Sequence, residues 1–198
     1  MAKLNLAEWA RGITTLGPGS RTVLWVQGCA RACPGCYSPE WQPFRPALLI
    51  SPAEAAEAIA ANGRDNGLTV SGGEPMLQAP GLVELWSHLK SLRPDWTLLL
   101  FSGYYRRELE AGGNREQIAL LHGADAFVGG PYVEKLNDGR GLRGSTNKEV
   151  WAPEGSRFTP GQLADIAGGP RAVEYRLSSD GVLAAGLPPR KTRGVGGE

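Results

Sequence analysis

The three cysteines of this 198-residue chain all fall in one short stretch, Cys29-Ala-Arg-Ala-Cys33-Pro-Gly-Cys36. A disulfide framework wants an even number of well-separated cysteines, so this crowding points to metal. The run before it, Thr22-Val-Leu-Trp-Val-Gln27, is β-branched and aromatic and is bounded by Gly17-Pro-Gly19 and Gly28. It predicts a buried strand with the cysteines on the loop at its C-terminal end. The spacing lets a single loop present three thiolates to one polynuclear centre. No fourth cysteine exists, whereas structural zinc closes with four protein ligands and electron-transfer clusters with four cysteines. One position of the centre is thus left open. His88 and His122 fall on predicted helices far in sequence from this loop. A zinc site completed by one of them, or a non-catalytic iron–sulfur module, is the alternative of a different class.

A chain 41% hydrophobic with six Trp supports one core and one domain. Its formal net charge of +1 gives no electrostatic reason to expect a nucleic acid or an anionic membrane as partner. No apolar run approaches the roughly 20 residues of a membrane-spanning helix. Met1 to Arg11 lacks the charged-then-apolar order of a secretion signal. The expected location is cytoplasmic.

Strand and helix signals alternate after the cysteines. Ser51-Pro-Ala-Glu54 combines an N-cap serine, a proline at the first helical position and a capping-box glutamate ahead of an alanine-rich run ending near Gly63. Leu68 to Val70, Trp96 to Phe101 and Ala126 to Val128 predict further strands, and Gly81 to Leu92 and Asn114 to His122 further helices. Such alternation implies parallel strands with helical crossovers. Each strand ends in a glycine-rich or polar segment, Gly28, Ser71-Gly-Gly73, Ser102-Gly103 and Gly129-Gly130, and functional loops gather at that end in barrel-like α/β folds. Arg140 and Arg143 fall in a long glycine-rich loop, 137–145, expected to be flexible and to border the mouth. Beyond Trp151 a helix capped by Thr159-Pro-Gly-Gln162 precedes a hairpin, Ala172 to Leu177 and Val182 to Ala184, turning at Asp180-Gly181. The division expected is a core over 1–152, an extension packed on it over 153–187, and a disordered tail over 188–198.

The Cys-x3-Cys-x2-Cys spacing, together with Ser71-Gly-Gly-Glu-Pro75 at the end of the second predicted strand, resembles the radical S-adenosylmethionine (SAM) superfamily. Within it, Gly17-Pro-Gly-x-Arg21, Cys33-Pro-Gly-Cys-Tyr37 with Trp41 beyond it, Ser102-Gly-Tyr104 and Arg143-Gly-Ser-Thr-Asn147 are similar to the branch that activates anaerobic ribonucleotide reductase. The matching segments span roughly Gly17 to Val150. The resemblance implies an α/β fold, a partial β/α barrel of mostly parallel strands, here with a small C-terminal helix-hairpin extension. It implies a 4Fe-4S cluster on Cys29, Cys33 and Cys36, with SAM chelating the fourth iron. It implies SAM contacts from Ser71, Gly72, Gly73, Glu74, Pro75 and Ser102. The glycines would let the backbone approach the ligand and Glu74 would put negative charge near its ammonium. Gly35 occupies the position before the third cysteine where many members carry an aromatic residue, so Tyr37 is the candidate aromatic. The implied partner is a glycyl radical enzyme, or else a peptide or small-molecule substrate, with reduced flavodoxin or ferredoxin as electron donor. No protein acid or base is required. Two departures stand out. Gly129-Gly-Pro131 replaces the Asp-Gly-Lys or Asp-Gly-Pro often found at that strand end, and the last fifty residues extend beyond the compact members.

Overall fold

A computed structural model describes residues 3–61, 63–178 and 181–189. In chain order its elements are β1 (Leu4–Ile13), β2 (Arg21–Val26), β3 (Leu48–Ile50), α1 (Pro52–Ala60), β4 (Gly67–Gly72), α2 (Ala79–Leu92), β5 (Thr97–Phe101), α3 (Arg106–Gly112), α4 (Arg115–Gly123), β6 (Ala126–Gly129), β7 (Glu149–Trp151), α5 (Pro160–Gly168), β8 (Val173–Ser178) and β9 (Gly181–Gly186). Among the described residues, β1 to β7 form one sheet in the order β3-β1-β2-β4-β5-β6-β7. The four inner strands β2, β4, β5 and β6 are parallel. At the flanks, β1 runs antiparallel to β2, β3 to β1 and β7 to β6. The sheet does not close on itself, and β3 and β7 are its two edges.

The helix starts follow their sequence chemistry. Ser51 Oγ accepts from Glu54 N while Glu54 Oε2 accepts from Ser51 N, and Asn114 with Gln117 and Thr159 with Gln162 repeat this exchange. The expected strands and helices appear within a few residues of their predicted ends. Four short or edge elements, β1, β3, α3 and β7, were not anticipated.

Alternation along β2 sends Leu24 and Val26 to one side of the sheet and Val23 and Trp25 to the other. The first side packs with α1, α2 and α4 through Ile59, Leu82, Leu85 and Leu121. On the second side Ala185 of β9 covers Val23 and Trp25, while Phe158 and Ile166 cover Leu99, Ala126 and Val128. Burial on both faces is why these strands read as continuous apolar runs instead of alternating ones. It also makes the C-terminal region part of the core's cover. β8 and β9 pair antiparallel as a separate two-stranded sheet, but Ser179 and Asp180 of the expected turn lie outside the described residues. So do residues 190–198 of the expected disordered tail.

The Gly-Pro-Gly-x-Arg motif holds the N-terminal ends of the strands, away from the cysteines. Arg21 is buried and donates to Thr69 Oγ1 (2.7 Å), Thr97 Oγ1 (3.0 Å) and the Leu68 and Thr97 carbonyls (2.7 and 2.9 Å). Burial lowers its pKa to about 10, partly offset by Asp125 and Asp65, so it stays charged at neutral pH. Asp65 accepts from Ser20 Oγ and Thr22 Oγ1 at the same end.

Candidate functional site

β2 delivers the chain directly into the cysteine loop. Gly28 N donates to the Trp41 carbonyl (2.8 Å) and Cys29 N to the Gln42 carbonyl (2.9 Å), so the loop closes on its own return segment. Trp25 and Trp41 meet beneath it with ring centroids 5.5 Å apart. The loop folds back on its thiols: Arg31 N lies 3.4 Å from Cys29 Sγ and Ser38 N lies 3.5 Å from Cys36 Sγ. Cys29, Cys33 and Cys36 are all free, half-buried and on the wall of one cleft of about 730 Å3. Burial, then the charge of Glu74 and the Cys33 thiol, push the Cys29 thiol up against the pull of backbone N–H groups. A bound metal reverses that balance, because a coordinating thiol gives up its proton.

The Ser71 to Pro75 segment runs alongside. Trp25 pairs with Ser71 and Val26 with Gly72, and the contact then continues past the strand, with Gly73 N donating to the Val26 carbonyl (2.7 Å) and Glu74 N to the Gly28 carbonyl (2.9 Å). Two missing side chains make this possible. Gly72 has φ +100° and a Cβ there would stand 2.5 Å from Val26 N. A Cβ on Gly73 would stand 2.8 Å from the Gly28 carbonyl carbon. The backbone that these glycines admit is that of the cysteine loop's root, which the sequence reading, looking for a ligand, did not foresee.

Glu74 is 1% exposed. Its carboxylate accepts from Met76 N (3.0 Å), Ser102 Oγ (2.8 Å) and Gly103 N (2.7 Å). Burial pushes its pKa up while these three donors pull it down. The carboxylate, at the edge of the cleft, clasps the end of β4 to the end of β5. Ser102 is spent on the same clasp, accepting from Tyr104 N (3.0 Å) as it donates to Glu74. Ser71, Gly72, Gly73, Glu74, Pro75 and Ser102 all border the cleft beside the cysteines.

Tyr37 stands on the opposite wall. Its ring packs on Tyr132 (5.1 Å between centroids), and its hydroxyl accepts from Asn137 Nδ2 (2.7 Å) and Arg171 (3.3 Å). Arg171, whose side chain is fully buried, also donates to Asn137 Oδ1 and to the carbonyls of Arg140, Gly141 and Gly144. Loop 137–145 is therefore pinned by a residue of the C-terminal region, which corrects the expectation of a flexible loop. At the end of β6, a Cβ on Gly129 would collide with the Phe127 ring and stand 2.8 Å from the Tyr104 carbonyl oxygen, so no carboxylate fits there.

Residues 15–151 match the 4Fe-4S single cluster domain family. The chain belongs to this family. An anaerobic ribonucleoside-triphosphate reductase-activating protein from Vibrio cholerae is 32% identical over 142 residues, 68% of this chain and 88% of that protein. The protein of that name from Escherichia coli K12 is 30% identical over 146 residues, 68% of this chain and 89% of its own length. A pyruvate formate-lyase-activating enzyme from Staphylococcus aureus is 37% identical over 83 residues, 39% of this chain and 33% of that enzyme. This 4Fe-4S single cluster protein is a radical SAM enzyme, with a 4Fe-4S cluster and SAM as its cofactors.

The cleft of the 4Fe-4S single cluster domain fits those cofactors. Among the described residues no three His, Cys, Asp or Glu side chains gather closely enough for a single metal ion. A polynuclear cluster takes each sulfur at a different iron, so three thiols spaced along one wall suit it better than they suit mononuclear zinc. His88 faces Glu84 on α2 and His122 packs edge-on to Trp151, neither on the cleft wall. Three cations, Arg31, Arg143 and Lys148, line the cleft together with three carboxylates, Glu8, Glu40 and Glu74. Sequence reasoning missed Arg31 and Lys148, although one lies between the first two cysteines and the other directly follows Arg143-Gly-Ser-Thr-Asn147. Arg171 has no local signal at all.

Proposed function

We propose that this chain activates a glycyl radical enzyme, such as an anaerobic ribonucleotide reductase, by abstracting a hydrogen atom from a glycine of that partner. The observation that carries the reading is the convergence of Cys29, Cys33 and Cys36, with no fourth cysteine, on a cleft bordered by Ser71 to Pro75. The names of its relatives support the choice of partner. Held by Cys29, Cys33 and Cys36, the cluster would supply the electron for reductive cleavage of SAM, and SAM would supply the group that takes the hydrogen atom.

The residues divide the work of holding and shaping. Cys29, Cys33 and Cys36 hold the cluster. Backbone groups of Ser71, Gly72 and Gly73 offer the methionyl end its polar contacts, and Pro75, Ser102 and Glu74 fix that backbone. Tyr37 and Tyr132 form the far wall. The outer side of the cysteine loop, Ala30, Ala32, Pro34 and Gly35, is exposed, which suits approach by an electron donor, reduced flavodoxin or ferredoxin.

In this reading the open sheet is a partial barrel of the radical SAM kind, residues 1–152 are its core, and 153–187 are an extension that buttresses the mouth. No described helix is long and apolar enough to cross a membrane. A peptide or small molecule is the second reading, favoured by the extension, whose Val173, Tyr175 and Leu183 narrow the cleft. The test is anaerobic reconstitution followed by iron and sulfide analysis, then reduction with SAM and a candidate glycyl radical enzyme. About four irons and four sulfides, 5′-deoxyadenosine, and a glycyl radical signal on the partner are expected. One tightly held zinc and no sulfide would overturn the reading; 5′-deoxyadenosine without a partner radical would favour the second.

A further inference from the structure

The hairpin of β8 and β9 is amphipathic in the opposite sense to an ordinary surface hairpin. Side chains alternate along each strand and directly opposed ones share a face. The register therefore puts Glu174 with Ala185 and Arg176 with Leu183 on one face, and Tyr175 with Ala184 and Leu177 with Val182 on the other. The first face is turned to the large sheet. Ala185 is buried on Val23 and Trp25 with Leu183 beside it, Glu174 accepts from Thr14 N and Thr14 Oγ1 (both 3.2 Å), and Arg176 donates to the Gly12 carbonyl (2.6 Å). The second face carries no charge and is open to solvent, with Tyr175 68%, Leu177 82% and Val182 64% exposed. A sheet with one solvated face ordinarily turns its polar residues outward; β8 turns its two charges inward.

This orientation is fixed. A one-residue slip of β8 would turn Tyr175 and Leu177 inward and release both charges, and the bonds to Gly12 and Thr14 oppose it, as does Thr15 Oγ1 donating to the Ala185 carbonyl (2.8 Å). The exposed face is continuous with the mouth of the cysteine cleft: Val173, Tyr175, Val182 and Ala184 also border that cleft, and Leu187 and Pro188 extend its apolar rim. Two six-residue strands give the face a footprint of roughly 20 Å by 10 Å, on the order of 200 Å2. Two copies of this chain apposed there would bury far less than the roughly 1,200 Å2 of a stable interface. A segment that lies on the hairpin and continues into the cleft uses both surfaces at once.

We propose that the outer face of β8 and β9 is a docking strip for the protein substrate, gripping apolar side chains next in sequence to the glycine that enters the cleft. This rests on the activation reading above. A glycine has no side chain to recognise, so selection must come from its neighbours, and the strip stands at the mouth where those neighbours pass. Tyr175 offers a large, rigid ring, with Leu177 and Val182 beside it to exclude water. The strip lies outside residues 15–151, the part that matches the 4Fe-4S single cluster domain family, so the selectivity it confers is this chain's own.

The experiment measures glycyl radical formation against the concentration of the candidate glycyl radical enzyme, for the reconstituted parent, Leu177→Thr/Val182→Thr and the conservative Leu177→Met/Val182→Ile. Threonine keeps the strand propensity, and iron, sulfide and partner-free 5′-deoxyadenosine formation should match the parent in both variants. The half-saturating partner concentration should rise about 10-fold or more in the threonine variant, as for loss of two apolar side chains from a buried contact. The rate at saturation should hold, and the conservative variant should stay close to the parent. A photo-crosslinking residue at Leu177 should capture partner residues that flank the radical glycine. An unchanged half-saturating concentration in the threonine variant would overturn the proposal, as would a crosslink to a second copy of this chain or to its own residues 190–198. Loss of partner-free 5′-deoxyadenosine in that variant would also overturn it, by moving the effect to the cofactors. A parent that cleaves SAM yet leaves the partner without a radical instead refutes the activation reading, and the docking strip falls with it.

Discussion

Gly73→Ala is the sharpest test of what the Gly-Gly-Glu-Pro segment does. The new Cβ would overlap the Gly28 carbonyl oxygen and lie 2.8 Å from its carbon and 3.0 Å from Gly28 N, all backbone atoms that cannot rotate aside. Relief requires β4 and the root of the cysteine loop to separate, which lengthens Gly73 N to Val26 O and Glu74 N to Gly28 O, now 2.7 and 2.9 Å. Losing two such bonds costs about 1–3 kcal/mol, and overpacking adds about 1–3 kcal/mol. The stiffer unfolded chain returns about 0.4–1 kcal/mol. A net loss of about 1–5.5 kcal/mol is therefore expected from urea unfolding of the cluster-free protein, with iron retention after reconstitution falling in parallel. Gly112→Ala is the control. Its Cβ would meet nothing within 4 Å at the end of α3, so it should be neutral or stabilising by up to about 1 kcal/mol. If Gly73→Ala kept the parent's stability and iron but lost SAM affinity, the glycine would serve the ligand directly and the packing argument would be wrong.

Arg171→Ala should destabilise the chain by about 3 kcal/mol or more by stripping buried carbonyls of their donor, and Arg171→Lys should recover little because one ammonium cannot span Gly141, Asn137 and Arg140; urea unfolding measures both. Because burial raises the Glu74 pKa in the folded chain, the folded state keeps a proton that the unfolded state has released. Its stability contribution is thus full below the unfolded carboxylate value of about 4.3 and is lost as pH rises through the folded value. Unfolding the cluster-free parent and Glu74→Gln side by side across mildly acidic to neutral pH should show the parent losing ground by up to about 1.4 kcal/mol per pH unit in that window, and a flat difference would remove the argument. Replacing Cys29, Cys33 or Cys36 by alanine should abolish iron retention, while His88→Ala and His122→Ala should keep it; colorimetric iron assay decides.

The parallel centre of the sheet was legible because its strands are buried on both faces and read as apolar runs, and because two of the helices between them carry capping boxes at Ser51 and Asn114. The flanks were not. β1 is half-buried along most of its length, so Leu4-Asn-Leu-Ala-Glu-Trp shows a broken alternation. β3 and β7 are three residues each, too short for any period. Both depend on a neighbouring strand that the local sequence does not announce.

At the site, the cysteines announce themselves by chemistry, and the glycines by standing together in Gly72-Gly73-Glu74-Pro75. What the side chains between them do is set by distant partners. Glu74 looks from its neighbours like a ligand-facing charge, and only the arrival of Ser102 and Gly103 from the next strand shows that it also ties two strand ends together. Arg171 shapes the loop around Tyr37 from across the chain, which gives the C-terminal region a structural part in the mouth without a residue of its own in the chemistry.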